Sequence, residues 1–328
     1  MKKDTKNRDH FIDLIKTFAI ITIILWHFGI ISTKYFIWAI PAFVFSTAAL
    51  YENKWKEIKI KNAAKKIIWT LGLVIFFTIL LYFININSPN INILDYFKNF
   101  FHYFFLRNPQ LGNLWYFLLY FQILILVLIL SFIFKNYNKI KLEKWYFGII
   151  ALCLSLGFSY LLLVTIGRGI SFNVVSWAFI IWLGLFNYSK IKKSLSKFSN
   201  LSLILFFIVP IILIIISFYL FGNTLNLFVE KYTHDFIFPT LIFQLLYLLS
   251  FFSLFILLIR LTENKCKPLL YSIALIGQYS LYIYLLHYFL YNLIFYPLFG
   301  IILGFILTIL LCLVLGVVLE KIRGIILK

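Results

Sequence analysis

Long runs of apolar residues, separated by short polar segments, repeat along the whole chain. A helix needs about 17 to 25 apolar residues to cross a bilayer, and about ten runs approach or reach that length. The predicted membrane helices are residues 11–31, 35–50, 65–84, 114–134, 145–166, 170–188, 201–221, 236–259, 269–292 and 298–319. Residues 96–106 are apolar but too few to span, so we predict an interfacial or re-entrant segment there.

The first apolar run contains ionisable residues in its interior. Lys16 and His27 are separated by ten residues that are almost all apolar. Eleven helical positions turn about 1100°, so the two side chains share one face, about 16 Å apart along the axis. Asp13 lies one turn before Lys16 on the same stripe. Ionisable groups in a membrane helix usually face a cavity or the bundle interior, so we predict a functional site on this helix.

A second polar stripe lies in the ninth run. Gly277, Ser280, Tyr284 and His287 are spaced three, four and three positions apart, which places them on one face of a helix. If this helix runs outward, His287 lies about 27 Å along it, a depth similar to that of His27. We therefore predict that the two histidines contribute to one site.

The composition favours a membrane protein over a soluble one. Hydrophobic residues make up 63% of the chain and charged residues 12%, whereas soluble domains contain about half and about a quarter. We predict an all-α, polytopic helix bundle in the cell membrane. It is expected to be one integral membrane domain over residues 1–328, with no appended soluble domain.

The net charge of +19 follows the predicted topology. Most lysines and arginines fall in alternate loops, starting with the N-terminal segment, as the positive-inside rule requires of cytoplasmic segments. Both termini are therefore predicted to be cytoplasmic, and the charge does not indicate nucleic-acid binding. The three cysteines are widely spaced and lack a metal-ligand pattern, so no metal is expected.

The motif formed by Asp13, Lys16 and His27 resembles the first-helix signature of acyltransferase family 3, a family of membrane acyltransferases. Further segments are similar to the family's motifs, in the same order, over most of the chain. They are residues 40–48, with Thr47-Ala48 where Ser-Gly is usual, Lys65-Lys66 at a place that often holds arginines, residues 113–117 and residues 276–287.

Members of this family carry acyl groups, commonly acetyl, from a cytoplasmic coenzyme A thioester to sugars of cell-surface polysaccharides, peptidoglycan or lipid-linked glycans. The resemblance implies acetyl-CoA or another acyl-CoA as donor. It implies a hydroxyl of a cell-envelope polysaccharide or lipid-linked sugar as acceptor. Membrane lipid and a glycan-synthesis machinery are the expected partners.

Transfer from a thioester to a sugar hydroxyl needs a base that works near neutral pH, and an imidazole meets this requirement. We expect His27 to be that base and Lys16 to bind the coenzyme arm, with Asp13 holding the lysine ammonium. Direct transfer and relay through an acyl-histidine are both compatible with the sequence. Lys16 has an alternative role as an anchor whose ammonium reaches the membrane interface.

Other polar and aromatic side chains are predicted to bind the substrates. The acceptor is assigned to His287, Tyr284, Ser280, Trp115 and Arg168, and the coenzyme phosphates to Lys65 and Lys66. Structural alternatives exist for several of them. His287 is suited to a hydrogen bond between helices, Trp115 to an aromatic belt, Arg168 to a solvated loop and the lysines to setting topology.

Two functions outside the enzyme class stay open at this point. A polysaccharide or lipid-linked sugar exporter would need a cavity lined with many polar groups, and these helices contain few of them. A structural partner of a glycan synthase would make Lys16 and His27 replaceable.

Overall fold

The computed structural model describes residues 9–31, 39–52, 54–58, 60–84, 115–134, 141–166, 175–232, 240–262 and 267–326. Within these ranges the chain is helical and contains no strand, which confirms the all-α class. The helices are α1 His10–His27, α2 Ala39–Ala49, α3 Ile60–Ile84, α4 Trp115–Phe134, α5 Trp145–Ile166, α6 Ala178–Leu195, α7 Asn200–Tyr232, α8 Thr240–Thr262, α9 Lys267–Gln278, α10 Ser280–Leu290 and α11 Tyr296–Ile326. A 3₁₀ turn at Trp55–Glu57 and a π-helical turn at Tyr291–Phe295 complete them.

Every predicted run coincides at least in part with a helix, but fewer helices qualify as membrane spans. Among the described residues, four helices are long and apolar enough to cross a bilayer: α1, α7, α8 and α11. The broken pair α9 and α10 would make a fifth. The eleven residues of α2 are too few to span. Ten spans and cytoplasmic termini therefore stay predictions, and residues 96–106 lie outside the described ranges.

The chain divides into two compact units. The first unit contains α1, α2 and α5 to α9, and it ends at Ser280. The second unit contains the 3₁₀ turn, α3, α4, the remainder of α10, the π-helical turn and α11. The prediction of one domain over residues 1–328 is not tested by this division and stays a prediction.

In the first unit, α1 and α2 form the core. All eleven residues of α2 are buried, and α1 packs against α2, α8 and α9. Close packing is possible because small residues line the contacts: a Cβ on Gly184 of α6 would lie 2.4 Å from the Phe45 carbonyl oxygen of α2. By contrast, α7 exposes apolar side chains such as Leu205 and Ile212, which suits contact with lipid tails.

In the second unit, the segment after α10 departs from regular helix twice. The π-helical turn follows α10 directly, and Gly300 in α11 has a φ of 71° and a ψ of −168°. Residues with a side chain avoid this backbone conformation, so the glycine at position 300 permits the kink. Single π-helical turns inside helices are frequent at functional sites, and this one begins four residues after His287.

Candidate functional site

The N terminus of α1 is fixed by Asp9. The Asp9 carboxylate caps the helix by accepting a hydrogen bond from the Phe11 backbone N–H at 3.0 Å. The same carboxylate accepts the Tyr188 hydroxyl, and both of its oxygens lie 2.8 Å from Nζ of Lys192. The Lys192 ammonium also lies 5.6 Å from the centre of the Phe11 ring. The first turn of α1 is therefore bound to the last turns of α6.

Asp13 and Lys16 lie one turn further along α1 and are both buried, with 2% and 9% of their surfaces exposed. A charge so far from solvent needs an opposite charge or hydrogen bonds to offset its lost hydration. The burial places Lys16 inside the protein rather than on the surface that faces lipid. The ion pair between Asp13 and Lys16 stays a prediction.

Next to this pair, α1 and α9 approach each other at backbone distance. A Cβ on Gly277 of α9 would lie only 1.8 Å from the Asp13 carbonyl oxygen. Thr17 Oγ1 lies 2.9 Å from the same carbonyl oxygen and 2.8 Å from the carbonyl oxygen of Ile273 in α9, so its proton is shared between the two. Glycine at 277 and threonine at 17 therefore set the position of the helix segment that carries Asp13 and Lys16.

His27 is the last residue of α1, and the turn after it explains why the helix ends there. The Gly29 N–H donates to the Trp26 carbonyl and the Ile30 N–H donates to the Leu25 carbonyl, both at 2.9 Å. This pair of bonds is the Schellman arrangement, which requires a left-handed residue after the cap. Gly29 supplies it, with a φ of 69°. The helix therefore ends four residues before the predicted boundary at residue 31.

The position of His27 at the end of α1 has an electrostatic consequence. The C terminus of a helix carries partial negative charge, which stabilises a positive charge on a nearby side chain. The half-buried His27 ring lies with its centre 4.7 Å from that of Trp26, at 51° to it. The His27 ring therefore lies beside the partial negative charge of the helix end.

In the second unit, His287 of α10 is completely buried. Its Nδ1 lies 2.7 Å from the Tyr284 carbonyl oxygen and 3.2 Å from that of Ile283. A carbonyl oxygen only accepts, so Nδ1 carries the proton and Nε2 is the basic nitrogen of the neutral ring. Tyr284 is buried as well, with its ring centre 5.8 Å from that of His287.

The predicted uninterrupted stripe from Gly277 to His287 is wrong in one respect. A break at Tyr279 separates α9 from α10, so Gly277 lies on one helix and Ser280, Tyr284 and His287 on the next. Ser280 is buried, and its Oγ has no hydrogen-bond partner within the described ranges. The depth estimated for His287 assumed one straight helix and no longer applies. A common site for His27 and His287, which belong to different units, stays a prediction.

Of the remaining predicted site residues, Lys65, Lys66 and Trp115 belong to the second unit. Lys65 and Lys66 are in the second turn of α3, and Lys66 interacts electrostatically with Lys54, Arg323 and Glu320. This group is mainly basic. Trp115 is the first residue of α4. Arg168 lies outside the described residues, as do residues 96–106.

Sequence reasoning missed three residues that hold α1 in place. Asp9, an acidic residue just before an apolar run, carries the usual signal of a helix N-cap. Gly29, just after the run, carries the corresponding signal of a helix end. Thr17 has no local signal, because its partner Ile273 lies 256 positions away in the chain.

These observations define the class of the protein. In the part of the chain that the structure describes, the fold is all-helical and several helices are long enough to cross a bilayer. The first of these helices carries a buried lysine and ends at a histidine, so the protein is of the membrane class, with ionisable side chains on a membrane helix. The family model described as an acyltransferase domain, that of acyltransferase family 3, matches residues 9–321. The chain belongs to this family and is a membrane acyltransferase. Comparisons with curated proteins and with solved structures gave no match.

Proposed function

We propose that this protein is an O-acyltransferase that moves an acyl group, in the simplest case acetyl, from acyl-CoA to a hydroxyl of a cell-envelope polysaccharide or lipid-linked glycan. The observation that carries the proposal is the pair formed by buried Lys16 and His27 at the end of the same helix. We also propose that the chain crosses the cell membrane about ten times with both termini in the cytoplasm, so that the donor enters at the Asp9 end of α1.

His27 acts as the general base in this proposal. It accepts the proton of the sugar hydroxyl while the sugar oxygen attacks the carbonyl carbon of the thioester. The new C–O bond forms and the C–S bond breaks. The proton then passes from His27 to the departing coenzyme thiolate, which leaves as the free thiol. The helix C terminus supports the transient imidazolium.

In this proposal, Lys16 binds the coenzyme arm of the donor and does not contact the thioester carbonyl. It lies about 16 Å from His27 along α1, a distance that the extended arm of the coenzyme bridges when the thioester is at the histidine. Asp13 holds the ammonium when no donor is bound. Lys66, in the basic group with Lys54 and Arg323, and its chain neighbour Lys65 are proposed to contact the coenzyme phosphates, because a lysine ammonium binds phosphate as a point charge.

The acceptor is proposed to contact Ser280, Tyr284, His287, Trp115 and Arg168. The basic Nε2 of His287 and the hydroxyl of Ser280 are suited to hydrogen bonds with sugar hydroxyls. His287 is assigned to positioning the acceptor or supporting His27, because its Nδ1 proton is already donated to the Tyr284 carbonyl.

The test measures transfer of labelled acetyl from acetyl-CoA into envelope material by membranes that contain the protein. His27→Gln keeps a polar side chain but removes the base, so we expect the rate to fall at least about 100-fold. His10→Gln is the matched control, since His10 lies in the first turn of the same helix. Its ring packs edge-on against that of Tyr271, with 4.4 Å between the ring centres. Undiminished transfer by His27→Gln at normal abundance would reject the proposal.

A second variant separates donor binding from chemistry. Lys16→Gln is expected to raise the KM for acyl-CoA more than it lowers kcat, because the lysine binds the arm and not the reacting carbonyl. If glycan export stopped in the His27→Gln variant while acyl transfer did not change, the exporter function would be supported instead.

A further inference from the structure

The first unit contains a groove between α6 and α8 that the proposed chemistry does not use. Its volume is about 470 Å³, within the range of roughly 300 to 1,000 Å³ that is usual for sites that bind small molecules. Most of its wall is apolar: Phe45, Trp182, Leu183, Leu245, Leu248, Leu249 and Phe252 contribute to it. The groove therefore favours a hydrocarbon chain over a polar metabolite.

One stripe of α6 supplies polar groups to this groove. Asn187, Lys190 and Ser194 line it and are spaced three and four positions apart, so they share a helix face. The amide nitrogen of Asn187 is buried and has no hydrogen-bond partner among the described residues. A buried N–H donor without an acceptor is costly, so a ligand that offered an acceptor here would be stabilised.

The charge of Lys190 is also available to a ligand. Lys190 is exposed and forms no ion pair within the part of the chain that the structure describes. Its neighbour Lys192 differs, since it is engaged by Asp9. Lys190 and Ser194 lie about 10 Å or more beyond Leu183 along α6. The groove is thus apolar at one end and cationic at the other.

We propose that the groove binds an anionic phospholipid, with one acyl chain along the leucines of α8 and the phosphate between Lys190 and Asn187. Lysine is a common partner of phosphate oxygens, and the Asn187 amide would donate to a phosphate or ester oxygen. A zwitterionic headgroup would bring its own cation close to Lys190, so anionic lipid is favoured. None of these residues is assigned to acyl transfer.

The test uses the full-length protein in detergent, with native mass spectrometry of bound lipid. Anionic and zwitterionic phospholipids with identical acyl chains are compared, and we expect selective retention of the anionic one. Lys190→Gln should weaken its binding about fivefold and abolish the headgroup preference. Lys193→Gln is the matched control, because Lys193 is an exposed lysine near the same end of α6 that does not line the groove.

Two further measurements keep the outcome clear if a variant folds poorly. Asn187→Leu removes the buried donor, so the detergent-solubilised protein should be at least as heat-stable as wild type while retaining less anionic lipid. His27→Gln should retain lipid normally, which separates this proposal from the catalytic one. Equal binding of both lipids, equal loss in the Lys190→Gln and Lys193→Gln variants, or binding of palmitoyl-CoA without phospholipid would overturn the proposal.

Discussion

Replacing Gly29 by alanine should reduce acyl transfer by moving His27. The left-handed backbone at Gly29 costs a residue with a side chain about 1 to 2 kcal/mol. A Cβ at this position would meet no atom of the described residues within 4 Å, so the expected cost is one of backbone conformation. Escaping the strain would break the two hydrogen bonds that end α1, each worth about 1 kcal/mol.

Either outcome destabilises the helix end that carries His27 by about 1 to 2 kcal/mol. This corresponds to a roughly 5- to 30-fold change in the ratio of molecules with the helix end formed to those without it. We expect the rate of labelled acetyl transfer to fall within that range, after correction for the amount of protein in the membrane. Gly29→Asn should recover much of the loss, because asparagine tolerates the left-handed conformation.

The control for the added methyl group is Gly157→Ala in α5, where the backbone is helical and a Cβ likewise meets no atom within 4 Å in the part of the chain that the structure describes. This variant should transfer acetyl normally. Wild-type activity in Gly29→Ala, or equal losses in Gly29→Ala and Gly29→Asn, would refute the reasoning that the turn positions the histidine.

Three more outcomes are expected. Gly277→Ala forces a methyl group against the Asp13 carbonyl oxygen, so thermal unfolding in detergent should occur at a clearly lower temperature than in wild type; an unchanged midpoint would contradict the close approach of α1 and α9. Lys192→Gln removes the cationic partner of Asp9 and should lower the free energy of unfolding by at most about 1 kcal/mol, because the ion pair is partly exposed to solvent; chemical denaturation measures this. A histidine base loses its lone pair when protonated, so transfer should slow as the pH falls from about 8 to about 5; a flat profile would argue against His27 as base.

The positions of the helices were largely predictable because lipid demands long apolar runs. The run at residues 145–166 coincides with α5, and most other boundaries agree within a few residues. The break at Tyr279 was not predicted, although Gly277, Gln278 and Ser280 interrupt the apolar pattern there. A single glycine inside a helical pattern is usually tolerated, so this signal alone did not indicate a break. The number of membrane spans is also difficult to predict from the sequence, because a short apolar helix such as α2 can be buried in protein instead of lipid.

For the candidate site, local signals identified ionisable residues but not what holds them. The burial of Lys16 agrees with the rule that charges in membrane helices face inward, whereas the roles of Lys16 and His27 stay predictions. The ion pair that holds the start of α1 joins Asp9 to Lys192, which lies 183 positions away in the chain. Such pairs depend on how distant helices meet, which the periodicity of one segment does not contain.

The anchoring of α1 at both Asp9 and Gly277 limits how the proposed reaction can proceed. Because α1 is held by an ion pair at its start and by a backbone contact one turn later, it cannot slide along its axis to carry the acyl group. In the proposed reaction, the distance between the Lys16 amine and the His27 imidazole is then fixed. Only the flexible arm of the donor can span it. If the proposed roles of Lys16 and His27 hold, a thioester on a carrier arm shorter than that of coenzyme A would not reach the imidazole, and the length of the arm would select the donor.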